Sequence, residues 1–180
     1  EYHKGKTVAI ISTGDSGLYG MAGLVYEIDS SINIEVVPGV SAAFSSASVV
    51  GAPLMHDTAL ISLSDLLTDW DLILKRVRNC ADADMVITLY NPKSKKRADY
   101  VEKAAEILMK YRDGKTPVGV VRHAGREEES SYITTLDAVK DAPIDMFSIV
   151  IVGNSNTYVR DGKMITPRGY EDKYGFANVE

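Results

Sequence analysis

The stretch Val8-Ala9-Ile10-Ile11-Ser12-Thr13-Gly14-Asp15-Ser16-Gly17 decides how the rest of the chain is read. Val8 to Ser12 is a short apolar and β-branched run ending in a glycine turn, which predicts a buried strand. Leu18, Met21, Ala22 and Val25 then fall at i, i+3, i+4 and i+7, one face of a helix. A strand that runs through a glycine turn into a helix is the repeating unit of α/β proteins.

The unit recurs further along. Ile34 to Val37 predicts a second strand closed by Pro38-Gly39, and Ser41 can cap a helix that runs to Val50. Ala59 to Leu63 predicts a third strand. Thr68 with Asp71 reads as a helix start, with Trp70, Ile73, Leu74 and Val77 on the apolar face. Ala81 to Asp84 reads as a boundary. Beyond it come strands at Met85–Tyr90 and Pro117–Val121, a helix through Val101, Ala105 and Leu108 ending near Gly114, a short strand at Tyr132–Thr134, a short helix from Leu136, and a strand at Phe147–Val152. Asp161-Gly162 is a two-residue hairpin signal. The expected organisation is a parallel-sheet domain over 1–83, a mixed-sheet domain over 84–170 and a loose tail over 171–180. A parallel domain whose first strand begins so near residue 1 would expose an edge. The first domain is therefore expected to be incomplete, or covered by another chain.

Composition narrows the function. The 180 residues carry a net charge of −5, against the basic surplus expected of a generic nucleic-acid binder. No apolar run approaches the roughly 20 residues needed to cross a bilayer. The polar start Glu1-Tyr2-His3-Lys4-Gly5 does not read as a secretory signal, and Cys80, the one cysteine, excludes an intrachain disulfide; a cytoplasmic protein is the expectation. Three scattered histidines and one cysteine make no metal-ligand pattern.

Four strand-to-helix turns are candidate sites, because α/β sheets bind ligands beyond the carboxyl ends of their strands. The first is Thr13-Gly14-Asp15, with Leu18 after it. Its Gly-Asp-Ser-Gly matches the surroundings of a trypsin-like nucleophile, but no His and Asp precede it in the required order. It fits neither a P-loop nor the dinucleotide fingerprint. The second is Pro38-Gly39-Val40-Ser41-Ala42. The third is Tyr90-Asn91-Pro92, followed by Lys93, Lys95, Lys96 and Arg97. Cations at a helix start oppose its dipole, so an anionic ligand would account for them. The fourth is Arg122-His123-Ala124-Gly125-Arg126. Read by itself, His123 fits a hydrogen-bonding surface residue better than a catalyst.

In this order the turns resemble the tetrapyrrole methyltransferases of cobalamin and sirohaem synthesis. The carrying segments are Ser12 to Ala22, Val37 to Ala42, Ile61-Ser62-Leu63-Ser64-Asp65-Leu66-Leu67, Leu89 to Pro92, Arg122 to Arg126, and Ile151 to Thr157. The third, fourth and fifth resemble the branch that methylates carbon 17 of precorrin-3B or cobalt-factor III. The resemblance implies a tetrapyrrole methylase-like fold: two α/β domains, S-adenosylmethionine between them, and a homodimer. Thr13, Gly14, Asp15, Leu18, Ser41, Ala42, Asn91 and Ala124 would line the methyl donor. Lys93, Lys95, Lys96, Arg97, Arg122 and Arg126 would hold a polycarboxylate tetrapyrrole, and Asp15 and His123 are the catalytic candidates. Ser16 departs from the family's usual proline, and the family's first glycine-rich turn is absent from this sequence. The alternatives are methylation of another corrin carbon, diphthine synthesis, or a non-catalytic dimerising fragment.

Overall fold

Val86-Ile87-Thr88-Leu89-Tyr90 and Ser148-Ile149-Val150-Ile151-Val152 are buried at every position. Runs of this kind form central strands covered on both faces. In the computed structural model, which describes residues 1–94 and 98–175 apart from the side chain of Asp172, they are the middle of a five-stranded sheet. In chain order the elements are α1 (Ala22–Ile28), α2 (Ala42–Val50), β1 (Gly51–Ala52), β2 (Thr58–Ser62), α3 (Trp70–Asp82), β3 (Val86–Tyr90) and α4 (Tyr100–Leu108). Then come β4 (Pro117–Arg122), β5 (Ser130–Thr135), a 3-10 helix (Leu136–Asp141), β6 (Ser148–Val152), β7 (Tyr158–Arg160), β8 (Lys163–Ile165) and α5 (Tyr170–Tyr174).

Two compact units make up the chain, Glu1–Phe44 and Ser45–Glu180. The second holds both sheets. The larger runs β2-β3-β6-β4-β5; β2 and β3 are parallel, and β6 is antiparallel to both β3 and β4. Ile61, Ile87, Leu89, Val118, Val120 and Val150 share a core with Ile73 and Val77 of α3 and Val101 and Leu108 of α4. On the other face, a Cβ added to Gly119 would lie 3.3 Å from both Val50 methyl groups, so glycine lets α2 approach the sheet there. The smaller sheet is β1-β8-β7, closed by the Asp161-Gly162 hairpin.

Arg112 fastens this unit from inside. Its side chain is 1% exposed. It donates to the carbonyls of Met85, Gly153 and Cys80, and so ties the end of α3 to the start of β3 and the end of β6. Burial lowers its pKa, and Asp84 and Cys80 act in the opposite sense. Asp84 itself accepts from the Ser155 amide and hydroxyl.

Several expectations change. Val8–Ser12 and Ile34–Val37 are not strands, and Ile11 is 93% exposed. A strand needs a neighbouring strand for its backbone N–H and C=O groups, and among the described residues no strand pairs with either run. Leu18 and Met21 precede α1 rather than lying on it. The break expected near residue 83 falls inside the five-stranded sheet, because β2 pairs with β3 across it. Ala83 and Asp84, the latter at φ 51°, form a tight helix-to-strand turn. The helix near Val101 ends at Leu108, short of Gly114. Glu171 to Tyr174, expected to be loose, lie in α5; residues 176–180 lie outside the described residues.

Asp69, not Thr68, caps α3: its carboxylate accepts the Asp71 N–H at 2.9 Å. Replacing Asp69 with Ala is expected to cost about 1 kcal/mol. The check is a lower urea midpoint with an unchanged slope.

Candidate functional site

The first group of site residues lies in Glu1–Phe44, where the structure brings the first two turns together. Asp15 Oδ1 accepts the N–H groups of Gly17 at 2.8 Å and Leu18 at 2.9 Å, while Oδ2 accepts that of Gly39 at 2.9 Å. These bonds, Gly39 first, hold its carboxyl below the usual carboxylate range. The Ser16 hydroxyl donates to the Val37 carbonyl at 3.0 Å. The two backbones touch: a Cβ on Gly39 would lie 2.2 Å from the Gly14 carbonyl oxygen. Gly14 sits at φ 78°, near Val40 and Ala42. Thr13 and Gly14 are exposed and Leu18 is half-buried. Ser41 is buried, and its hydroxyl oxygen accepts the Ala43 N–H at 3.4 Å in the first turn of α2.

The second group lies at one end of the five-stranded sheet. The register Ser62↔Tyr90, with Arg122 opposite both Ser130 and Ser148, gathers the carboxyl ends of β2, β3 and β4 there. Asn91 follows β3 at φ 51°, and His123 follows β4 at φ 53°. Left-handed backbone at non-glycine residues costs free energy and concentrates at ligand-binding turns. The Asn91 amide donates to the Ser62 hydroxyl at 3.0 Å. The His123 side chain is only 10% exposed, which corrects the surface reading. Its ring stacks on Phe147 with centroids 4.7 Å apart, and Nε2 lies 3.6 Å from Glu128. Ala124 is half-buried beside it, and the Gly125 N–H donates to Glu129 at 2.6 Å. Arg126 is exposed.

Lys93 and Arg122 border one shallow hollow together with Ser130 and Asp145. Arg122 is ion-paired with Asp145. Burial pushes the Asp145 carboxyl up, but the Phe147 N–H, the Ser148 hydroxyl and Arg122 together bring it below its ordinary value. Lys95, Lys96 and Arg97 lie outside the described residues.

Some residues around this sheet end carried no signal in the sequence. Asp145 tempers the charge of Arg122. Glu128 and Glu129 fold back onto the His123 turn, and only the acidic run Glu127-Glu128-Glu129 hints at it. Tyr100 stacks on Trp70 at 3.8 Å, and its hydroxyl donates to Asp65 at 2.6 Å. That bond fixes the loop on which Leu66 and Leu67 stand exposed.

Comparison with known proteins bears on both groups. Residues 1–140 match the family described as Tetrapyrrole (Corrin/Porphyrin) Methylases. A "Probable cobalt-factor III C(17)-methyltransferase" of Salmonella typhimurium is 51% identical over 170 residues, covering 92% of this chain and 70% of that protein. The "Cobalt-factor III methyltransferase" of Priestia megaterium is 50% identical over 98% of this chain, which spans only 34% of that longer protein. Among solved structures, "the methyltransferase CobJ" superposes with a TM-score of 0.84 at 30% identity, covering 92% of this chain and 72% of that one. On this likeness of sequence and fold, the chain belongs to the tetrapyrrole methylase family.

Proposed function

We propose that this chain takes part in methylating carbon 17 of cobalt-factor III or precorrin-3B with S-adenosylmethionine, coupled to contraction of the macrocycle. One observation carries the reading: about half of all positions match a relative bearing that activity's name, across nearly the whole chain. The four turns support it, since each falls in a stretch already singled out by its residues.

The residues present suit such a donor. Gly14 offers backbone that no Cβ covers, and Thr13 beside it is exposed. Thr13, Gly14 and Leu18, with Ser41 and Ala42, are the residues of the first unit that would hold S-adenosylmethionine, and Asn91 and Ala124 are the candidates of the second. When bound, it supplies a methyl group on an already activated sulfonium. The chain's task is then to align donor and acceptor carbon and to exclude water. Lys93, Arg122 and Arg126 would hold acetate and propionate groups of the macrocycle, with arginine forks suited to carboxylates. Contraction requires a proton transfer, which we assign to the His123 imidazole, oriented by Phe147 and Glu128. The working form is a homodimer.

Calorimetry with S-adenosylmethionine and S-adenosylhomocysteine tests the donor. Incubation with cobalt-factor III, followed by mass spectrometry for the gain of one methyl group, tests the acceptor. No binding at millimolar donor would overturn the reading. The hollow gives a separate prediction. Lys93→Glu combined with Arg122→Gln is expected to weaken tetrapyrrole binding about tenfold or more, since each charge-assisted bond contributes about 1.5–3 kcal/mol. Donor affinity should stay within about twofold of wild type, as expected for independent sites.

A further inference from the structure

We propose that Asp15 is a positioning residue, a clasp that locks the Pro38–Ala42 turn onto the Thr13–Leu18 turn, so that both present one preformed surface to the methyl donor. The donor part of this statement rests on the function proposed above; the clasp itself does not.

Three observations carry it. Both Asp15 oxygens accept backbone N–H groups, and they divide the work. Oδ1 shapes its own turn through Gly17 and Leu18, and Oδ2 reaches 24 residues along the chain to Gly39. The Ser16 hydroxyl makes a second link between the same segments, to the Val37 carbonyl. Gly39 lies directly against the Gly14 carbonyl, closer than any side chain permits, so the clasp holds the turns at backbone contact. Thr13, Gly14, Ser41 and Ala42 sit on either side of that contact. Anything that loosens the clasp changes the spacing of the backbone groups they offer.

Asparagine at position 15 separates this role from direct chemistry. Its Oδ1 can still accept from Gly17 and Leu18, but its NH2 group cannot accept from Gly39 and would meet that N–H donor to donor. The local turn survives and the cross-link is lost. A protein whose binding-competent state is only fractionally populated shows an affinity reduced by that fraction. If release leaves one molecule in ten competent, the S-adenosylmethionine Kd and KM rise about tenfold, while kcat at saturation stays within about twofold.

The experiment is hydrogen exchange and amide NMR on wild type, Asp15→Asn and Ser16→Ala, with S-adenosylmethionine titrations and steady-state kinetics on the same samples. The expected result is a Gly39 amide that is protected in wild type and exchanges freely in Asp15→Asn, with the α3 amides unmoved as proof of folding. Ser16→Ala should shift Kd in the same direction by a smaller factor. A Gly39 amide indifferent to the Asp15→Asn change overturns the clasp. So does a kcat collapse at saturating donor with the Gly39 amide unchanged, because Asp15 would then act on the reacting atoms. If wild type binds no S-adenosylmethionine, the proposed function and the donor-positioning role fall together, and the Gly39 amide decides the clasp alone.

Discussion

Replacing Arg112 with alanine is expected to lower the stability of the Ser45–Glu180 unit by about 3–5 kcal/mol, since each buried acceptor left unpaired costs about 1–3 kcal/mol. The guanidinium serves the carbonyls of Cys80 in α3, Met85 just before β3 and Gly153 just after β6. Alanine leaves these carbonyls without that donor and removes the charge beside Asp84, which keeps its bonds from Ser155. Lysine should restore only part of the loss, because one ammonium cannot reproduce the planar fork. The measurement is equilibrium urea unfolding followed by circular dichroism. Lys115→Ala, which breaks an exposed pair with Asp137, should leave the midpoint nearly unchanged. A loss below about 1 kcal/mol for Arg112→Ala would show that water reaches these carbonyls and that the staple is incidental.

The second large effect is expected at Gly39. An alanine Cβ there would lie 2.2 Å from the Gly14 oxygen, 3.1 Å from its carbonyl carbon and 3.3 Å from the Asp15 Cα. All three are backbone atoms, so no side chain can swing aside, and the turns must separate. Overpacking of this kind costs about 1–3 kcal/mol, occasionally more; falling on the binding-competent arrangement of the turns, it corresponds to about a fivefold to 150-fold loss of S-adenosylmethionine affinity. Gly23, in α1, is the control. Nothing lies within 4 Å of its added Cβ, so Gly23→Ala should be neutral or slightly stabilising. Equal donor affinity in Gly39→Ala and wild type would mean that the turn contact does not shape the donor surface.

What the sequence made legible was punctuation and local pattern. Pro38-Gly39 before Ser41, Tyr90-Asn91-Pro92 after a β-branched run, and Asp161-Gly162 between two short strands each carry their geometry in adjacent residues. Strands β3, β4 and β6 could be read because they are apolar on both faces. Features set by distant partners were not readable. The Asp15–Gly39 bond spans 24 residues and the Arg112–Gly153 bond 41, and nothing near either residue signals its partner. Val8–Ser12 misled for the related reason that strand propensity describes a run of residues, whereas a strand is a pairing. Ala81–Asp84 misled because a tight helix-to-strand turn and a domain boundary share the same small, polar residues. His123 misled in the opposite sense: it read as a hydrogen-bonding surface residue, and packing against Phe147 leaves its ring mostly covered.

Trp70 is the chain's one tryptophan, and it lies face to face with Tyr100, whose hydroxyl is bonded to Asp65 in the loop that carries Leu66 and Leu67. The molecule therefore carries one indole among its tyrosines, wired through the Tyr100 phenol to a loop just past the carboxyl end of β2. Its emission is a label-free optical readout of that loop, with no second indole to obscure the signal.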